Sequence, residues 1–211
     1  MPLVAAAAVA LSAAAGQDTA TSTPATPAAV PARTAPARRV TTRYDPWFRK
    51  YSKRYFGVGF DWRVFKAQAM AESDLKPTAR SSAGARGIMQ LMPSTYDIIA
   101  STQPHYTSID DPQTNIAAGI LHDRGLWLSW KDLVQPEDRC DFMLGSYNAG
   151  IMTIDRARTM ARRAKLDPAA WQSIVEIAPK VRQWRYKETL GYVSTIQSNY
   201  LWLAPDESGL P

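Results

Sequence analysis

The sequence changes character abruptly at Tyr44, and this break constrains the fold more than any other feature. Residues 1–43 contain no Phe, Trp, Tyr or Ile, whereas all 7 Trp, 9 Tyr and 5 Phe of the 211-residue chain lie from Tyr44 onward. A segment without large apolar side chains cannot bury enough surface to offset the entropy lost on ordering it. We therefore expect a globular domain over residues 44–211 that is preceded by a disordered tail.

Two segments can be distinguished within the tail. Residues 3–15 are apolar and Ala-rich, are too short to span a bilayer as a helix, and end in three alanines before Gly16, which is typical of an export signal. We interpret residues 1–15 as a signal peptide, with a plain Ala-rich start or a misplaced initiation codon as alternatives, and residues 16–43 as an Ala/Thr/Pro-rich disordered linker. No Cys lies directly after the apolar stretch. The sequence thus predicts a protein of the periplasm or cell envelope, not a lipoprotein, without a membrane span after signal removal.

Beyond Tyr44 the apolar residues recur with a helical period, and no stretch alternates as a strand does. The pattern predicts a mainly α domain, in which capping Asp residues and first-turn Pro residues mark several helix starts. The predicted helices cover residues 61–73, 112–130, 136–150, 152–166, 168–177 and 187–203.

Residue counts exclude several kinds of chemistry. The chain has two His, one Cys (Cys140), no HExxH pair and no Gly-x-Ser-x-Gly turn, so metal hydrolysis and a nucleophilic triad are not predicted. It also lacks the Gly-rich loops that bind nucleotides. We expect neither a metal nor a cofactor. The net charge of +6 is divided between tail and domain and selects no particular anionic partner.

Among the carboxylates, Glu72 stands out by its position. It emerges from a largely apolar stripe near the C-terminal end of the predicted helix, four residues after Gln68. Burial penalises a charged carboxylate, and the negative end of the helix dipole repels it, so both effects raise its pKa. A Glu of this kind is a candidate general acid. The alternative is a structural ion pair with Arg80 or Arg86.

Four ordered blocks of sequence carry a family resemblance. They cover residues 71–95, 111–119, 146–150 and 188–193, and read AESDLKPTARSSAGARGIMQLMPST, DPQTNIAAG, SYNAG and ETLGYV. In this order they resemble the catalytic core of bacterial soluble lytic transglycosylases, glycoside hydrolase family 23, which share a fold with goose-type lysozyme. Residues 44–46 and 155–157 are similar to the catalytic module of membrane-bound transglycosylases that carry a solute-binding-type domain.

The resemblance implies a lysozyme-like helical domain with a substrate groove and with Glu72 as the catalytic acid. It implies substrate contacts at Ser81, Met89, Gln90, Tyr147, Asn148, Glu188 and Tyr192. Ser81 and Gln90 would hydrogen-bond the sugar, and Met89 and Tyr192 would cover sugar faces. Two alternatives stay open, because Met89 would also suit the core and Asn148 would also suit a helix end.

The implied activity is cleavage of the β-1,4 bond between N-acetylmuramic acid and N-acetylglucosamine, with formation of 1,6-anhydromuramoyl ends. The expected partner is the peptidoglycan glycan strand, and the sequence does not identify which proteins, if any, are partners. A lysozyme-like hydrolase that uses water and a non-catalytic wall-binding or assembly protein are the alternatives. A nucleic-acid partner is not expected, since we interpret the basic residues between 156 and 165 as a solvated helix face.

Overall fold

The computed structural model describes residues 40–203, so the predicted signal peptide, most of the linker and residues 204–211 lie outside the described part. Within residues 40–203 the secondary structure is helical apart from isolated bridges, and the mainly α class is confirmed. The eight α-helices are α1 (Asp45–Phe56), α2 (Arg63–Ser73), α3 (Pro93–Ser101), α4 (Pro112–Ser129), α5 (Arg139–Ala149), α6 (Ile151–Arg163), α7 (Trp171–Ile177) and α8 (Tyr186–Leu203), with a short 3-10 turn at Ala178–Lys180.

Two predicted helix starts are wrong by three residues. α5 begins at Arg139 and α7 at Trp171, because Pro136 and Pro168 lie in the turns that lead into these helices. The carboxylate of Asp138 accepts a 2.9 Å hydrogen bond from the backbone N–H of Trp171 and so joins the two starts. A side chain from outside the helix satisfies an otherwise unpaired N–H of its first turn.

The helices pack around one continuous apolar core. α2 lies along α8, and α4 packs against both α1 and α5. Gly145 of α5 faces the indole of Trp171, which would lie 2.4 Å from a Cβ atom at that position. The missing side chain therefore makes room for a large buried aromatic ring. None of the helices between residues 40 and 203 combines the length and apolar character needed to cross a bilayer.

The prediction of a solvated basic face on α6 is wrong at Arg158. This side chain is 7% exposed, and its guanidinium donates to the carbonyls of Leu133 at 2.8 Å and Pro168 at 3.1 Å. It also pairs with Asp155 at 3.1 Å and lies over the ring of Trp130. A buried guanidinium needs such partners, and Arg158 thereby ties α6 to the turns before and after it.

Candidate active site

Glu72 is the last residue but one of α2 and is partly buried. Burial raises the pKa of its carboxyl to about 7, and a hydrogen bond from Tyr192 acts in the opposite direction. The alternative of an ion pair with Arg80 or Arg86 is wrong, because both guanidinium groups pair with Asp110. Glu72 is thus a carboxylic acid with no cationic partner among residues 40–203.

Tyr192 comes to Glu72 from α8. Its hydroxyl donates a 2.6 Å hydrogen bond to Oε1 of Glu72. Burial, followed by the negative charge of Glu72, raises the pKa of Tyr192 well above its ordinary value. The phenol therefore stays protonated and remains a hydrogen-bond donor when Glu72 is ionised.

The segment between α2 and α3, residues 74–92, is fastened by Asn115 of α4. The Asn115 amide donates to the carbonyls of Arg86 at 3.0 Å and Ile109 at 2.9 Å, and its oxygen accepts from the N–H of Met89 at 2.8 Å. Gly87 has a positive φ of 81°, and a Cβ there would lie 2.4 Å from the Asn115 amide nitrogen. Glycine is required for this close approach. Asn115 lies in one of the four sequence blocks, but its role was not predicted from the sequence.

Ser81 and Gln90 are both held within this segment. The Ser81 hydroxyl accepts from the N–H of Ala85 at 3.0 Å. Gln90 has a positive φ of 47°, and its amide donates to the carbonyls of Gly87 at 2.8 Å and Ala79 at 3.2 Å. The structure thus orients the Gln90 side chain through its NH2 group, which leaves the amide oxygen as the group available to a ligand.

Met89 has a different place from the one expected. Its side chain is fully buried and packs against Gly119, where a Cβ would lie 2.7 Å from it. The expectation that Met89 covers a sugar face is therefore wrong, because a side chain without exposed surface cannot contact a ligand. Its carbonyl oxygen accepts a 2.7 Å hydrogen bond from the hydroxyl of Tyr147.

Tyr147 of α5 is the second phenol of the site. Burial, and then the charges of Glu72 and Asp123, raise the pKa of Tyr147 well above its ordinary value. Its ring meets that of His122 edge to face, with centroids 5.2 Å apart. Burial lowers the pKa of His122, so this imidazole is neutral at neutral pH.

Asn148 and Glu188 line a neighbouring cavity of about 260 Å³. Both residues are exposed, and Glu188 pairs with Arg185 at 2.9 Å on the first turn of α8. α5 ends at Ala149, with Gly150 as the following residue at a φ of 82°. Gly150 terminates the helix, so the alternative role of Asn148 as a helix end is not needed.

A second carboxyl, which was not predicted from the sequence, lies behind Glu72. Asp123 of α4 is fully buried, and its Oδ1 accepts a 3.3 Å hydrogen bond from the amide of Gln68, one turn before Glu72 on α2. Oδ2 of Asp123 and Oε1 of Gln68 have no hydrogen-bond partner within the described chain. Burial raises the pKa of Asp123 well above its ordinary value and so favours the neutral form of this carboxyl. The sequence indicated only that Gln68 and Glu72 lie one turn apart on the same helix.

The structure therefore brings part of the predicted site together. Glu72, Tyr192, Tyr147 and the main chain of Met89 form one cluster on α2, α5, α8 and the 74–92 segment. Ser81 and Gln90 are fixed within that segment, and Asn148 and Glu188 flank the adjacent cavity. Residues 40–203 contain no group of three His, Cys, Asp or Glu side chains placed to hold a metal ion.

Comparison with known proteins gives consistent matches. A family described as the transglycosylase SLT domain matches residues 48–168. The membrane-bound lytic murein transglycosylase F of Desulfosudis oleivorans is 33% identical over 152 residues, which cover 71% of this chain and 32% of that protein. The protein of the same description from Vibrio campbellii is 32% identical over 150 residues, 71% of this chain and 26% of that protein. The chain spans about a third or less of the length of these relatives.

Solved structures share the fold. The 70 kDa soluble lytic transglycosylase from Escherichia coli is 27% identical with a TM-score of 0.59, over 80% of this chain and 26% of that one. Lytic transglycosylase Slt from Pseudomonas aeruginosa, at 20% identity, is similar in fold with a TM-score of 0.62, over 78% of this chain and 24% of that one. The predicted lysozyme-like helical fold is confirmed.

Proposed function

The chain belongs to the transglycosylase SLT domain family, and from that membership we propose that it is a peptidoglycan lytic transglycosylase with Glu72 as its catalytic acid. Its substrate is the β-1,4 bond between N-acetylmuramic acid and N-acetylglucosamine in the glycan strand. The observation that carries this proposal is the chemical state of Glu72, which is a partly buried carboxyl with a pKa of about 7 and no cationic partner within residues 40–203.

In the first step Glu72 gives its proton to the glycosidic oxygen as the bond to C1 of the muramoyl residue breaks. A pKa of about 7 leaves a large fraction of Glu72 protonated at neutral pH, which a carboxyl of ordinary pKa would not provide. The N-acetylglucosamine side departs with a free hydroxyl. Positive charge develops at C1 of the muramoyl residue.

In the second step the C6 hydroxyl of the same muramoyl residue attacks C1, and Glu72, now a carboxylate, accepts the hydroxyl proton. The products carry a 1,6-anhydromuramoyl end, and Glu72 recovers its proton. The nucleophile is held by the sugar itself, which gives it a large effective concentration compared with bulk water. Tyr192 supports the ionised intermediate state of Glu72, since its hydroxyl donates to Oε1 at 2.6 Å.

The position of Asp123 favours the transglycosylase over the hydrolase. A glycosidase that uses water usually needs a second carboxylate that reaches either the water or the sugar. Asp123 is the second carboxyl beside Glu72, and it is fully buried, which raises its pKa well above the ordinary value. Asp123 can therefore reach neither a water molecule nor the sugar. A reaction that needs only one acid and an internal hydroxyl suits the site better.

The substrate contacts form the second part of the proposal. Tyr147 and Tyr192 lie around Glu72 where charge develops, and Gln90 offers its amide oxygen to hydroxyl or N-acetyl groups. Ser81, Asn148 and Glu188 provide polar groups farther along the groove. We omit the Met89 side chain from the substrate contacts, since it is buried.

We also propose that the protein is exported and works on the wall in the periplasm or cell envelope. This follows from the substrate, and from residues 1–15 as a signal peptide and 16–43 as a linker before the catalytic domain at 44–211. Detection of a mature N-terminus near Gly16 on the protein recovered from the envelope fraction would support export. An intact Met1 on cytoplasmic protein would contradict it.

The chemical nature of the product tests the proposal. Purified sacculi are digested with the protein, and the released muropeptides are analysed by mass spectrometry at early times. We expect new muramoyl ends to be lighter by one water than the reducing ends that a hydrolase leaves. Predominantly reducing ends would favour the lysozyme-like alternative, and the absence of new ends would favour the non-catalytic wall-binding protein. The Glu72→Gln variant serves as the inactive control.

A further inference from the structure

A large basic cavity of about 690 Å³ lies between α6 and residues 180–183, which begin at the last residue of the 3-10 turn. Its charged lining consists of Arg156 and Arg163 from α6, Lys180 and Arg182 from residues 180–183, and Asp155. The two arginines on α6 are seven residues apart and so lie on one side of the helix. The cavity thus collects four cations from two separate parts of the chain.

These four positive charges are not neutralised by the protein. Within residues 40–203, none of Arg156, Arg163, Lys180 and Arg182 makes an ion pair. The one carboxylate of the lining, Asp155, is already paired with Arg158 at 3.1 Å. Like charges around a concave surface repel one another and create a positive potential that attracts an anion.

The basic cavity adjoins the proposed glycan groove. Gln183 lines it and also lines the cavity of about 260 Å³ that contains Asn148 and Glu188. The cavity that contains Asn148 and Glu188 therefore meets the basic cavity at Gln183. An anionic substituent that branches from the glycan strand at this point would reach the four cations.

We infer that the basic cavity binds the carboxylates of the peptide carried by a muramoyl residue of the bound strand. This inference rests on the proposed function, because the glycan strand of peptidoglycan carries peptides with carboxylates on its muramic acid residues. A guanidinium presents two parallel N–H donors that match a carboxylate, and three of the four cations are arginines. The cavity then selects peptide-bearing strands over bare glycan, while Glu72 performs the same chemistry on both.

The test uses two substrates and two variants with equal charge loss. The cavity variant combines Arg163→Gln with Arg182→Gln, whose side chains make no hydrogen bond or ion pair in the described part of the chain. The control combines Arg162→Gln with Lys131→Gln, two exposed residues that do not line the cavity. The substrates are peptide-bearing glycan strands and the same strands stripped of peptide by an amidase.

We expect the cavity variant to lose about tenfold or more in kcat/KM on peptide-bearing strands, chiefly through KM. The loss should be confined to that substrate, and the control variant should match the wild type on both. Equal losses on both substrates, or no loss on either, would overturn the inference. The proposed function would still stand in that case if the wild type forms anhydro products. If the wild type cleaves neither substrate, the proposed function itself fails.

A binding measurement separates peptide carboxylates from phosphates. Titration of the wild type with a soluble stem peptide, and separately with a DNA oligonucleotide, is compared with the cavity variant at two salt concentrations. We expect peptide binding that weakens with salt and is lost in the variant. Binding of DNA alone, with its loss in the variant, would assign the cavity to a phosphate polymer and refute the peptide site.

Discussion

The hydroxyl of Tyr192 donates a 2.6 Å hydrogen bond to Oε1 of Glu72 across 120 positions of sequence. Tyr192 comes from the first half of α8 and Glu72 from the end of α2, and these two helices pack along each other. The bond favours the ionised carboxylate and so opposes the effect of burial on the pKa of Glu72. The balance between the two effects sets the pH range in which Glu72 can act as an acid.

Replacement of Glu72 by glutamine should abolish turnover and stabilise the protein at alkaline pH. The raised pKa of about 7 means that folding disfavours ionisation of Glu72. In the wild type, stability is therefore lost as pH rises from about 4.5 to above 7, by about 3 kcal/mol in total. Thermal melts of Glu72→Gln and wild type should coincide at pH 4 and separate at pH 8, with the variant more stable. Glu176→Gln, an exposed carboxylate on α7, is the control and should show no such difference.

Activity should fall as pH rises through about 7, because the first step needs protonated Glu72. Above that pH, kcat/KM should decrease about tenfold per unit, as the protonated fraction does. Initial rates on soluble glycan strands between pH 5 and 9 measure this. A rate that keeps rising up to pH 9 would show that Glu72 does not act as the acid.

Tyr192→Phe should move this decline to higher pH. The hydrogen bond from Tyr192 lowers the pKa of Glu72. Its removal therefore raises that pKa and keeps Glu72 protonated up to a higher pH. The maximum rate should also fall, by about tenfold, since a bond to a charged group is lost. Tyr200→Phe is the matched control, because Tyr200 also lies on α8 and donates to a carboxylate, Asp61, at 2.8 Å. Its pH profile should equal that of the wild type.

Asp123→Asn should leave the pH profile of activity unchanged. Burial raises the pKa of Asp123 and favours its neutral form, and the neutral amide of asparagine reproduces that form beside Glu72. The variant should gain stability relative to the wild type as pH rises, because the wild type resists ionisation of a fully buried carboxyl while its unfolded chain ionises freely. If Asp123 were ionised in the wild type, the substitution would lower the pKa of Glu72 and move the decline in activity to lower pH. Rate profiles and urea denaturation at pH 5 and 8 distinguish the two cases.

Asn115→Ala should destabilise the protein by about 3 kcal/mol, because three hydrogen bonds to main-chain groups are lost together. Activity should decline as well, since these bonds hold the segment that carries Gln90. Asn199→Ala, which loses one bond to the carbonyl of Ala67, is the control and should cost about 1 kcal/mol without a change in kcat. Urea denaturation and initial rates test both expectations.

The sequence determined the features that depend on neighbouring residues. The restriction of aromatic residues to positions from Tyr44 onward predicted where the globular domain begins, and a period of 3.6 predicted the helices that end at Ser73 and Ala149. It also placed Glu72 at an apolar helix end, which is where burial raises its pKa. Helix formation and helix ends depend on residues within a few positions of one another, so a single sequence is sufficient for them.

Only the tertiary structure decided which side chains meet. Met89 and Arg158 are buried, and Asp123 lies behind Glu72, because side chains from distant helices fill one interior. The basic cavity likewise joins α6 to a segment about twenty residues later. Periodicity tells which face of a helix is apolar, but it does not tell which helix that face will contact. That choice is made by the packing of all the helices at once.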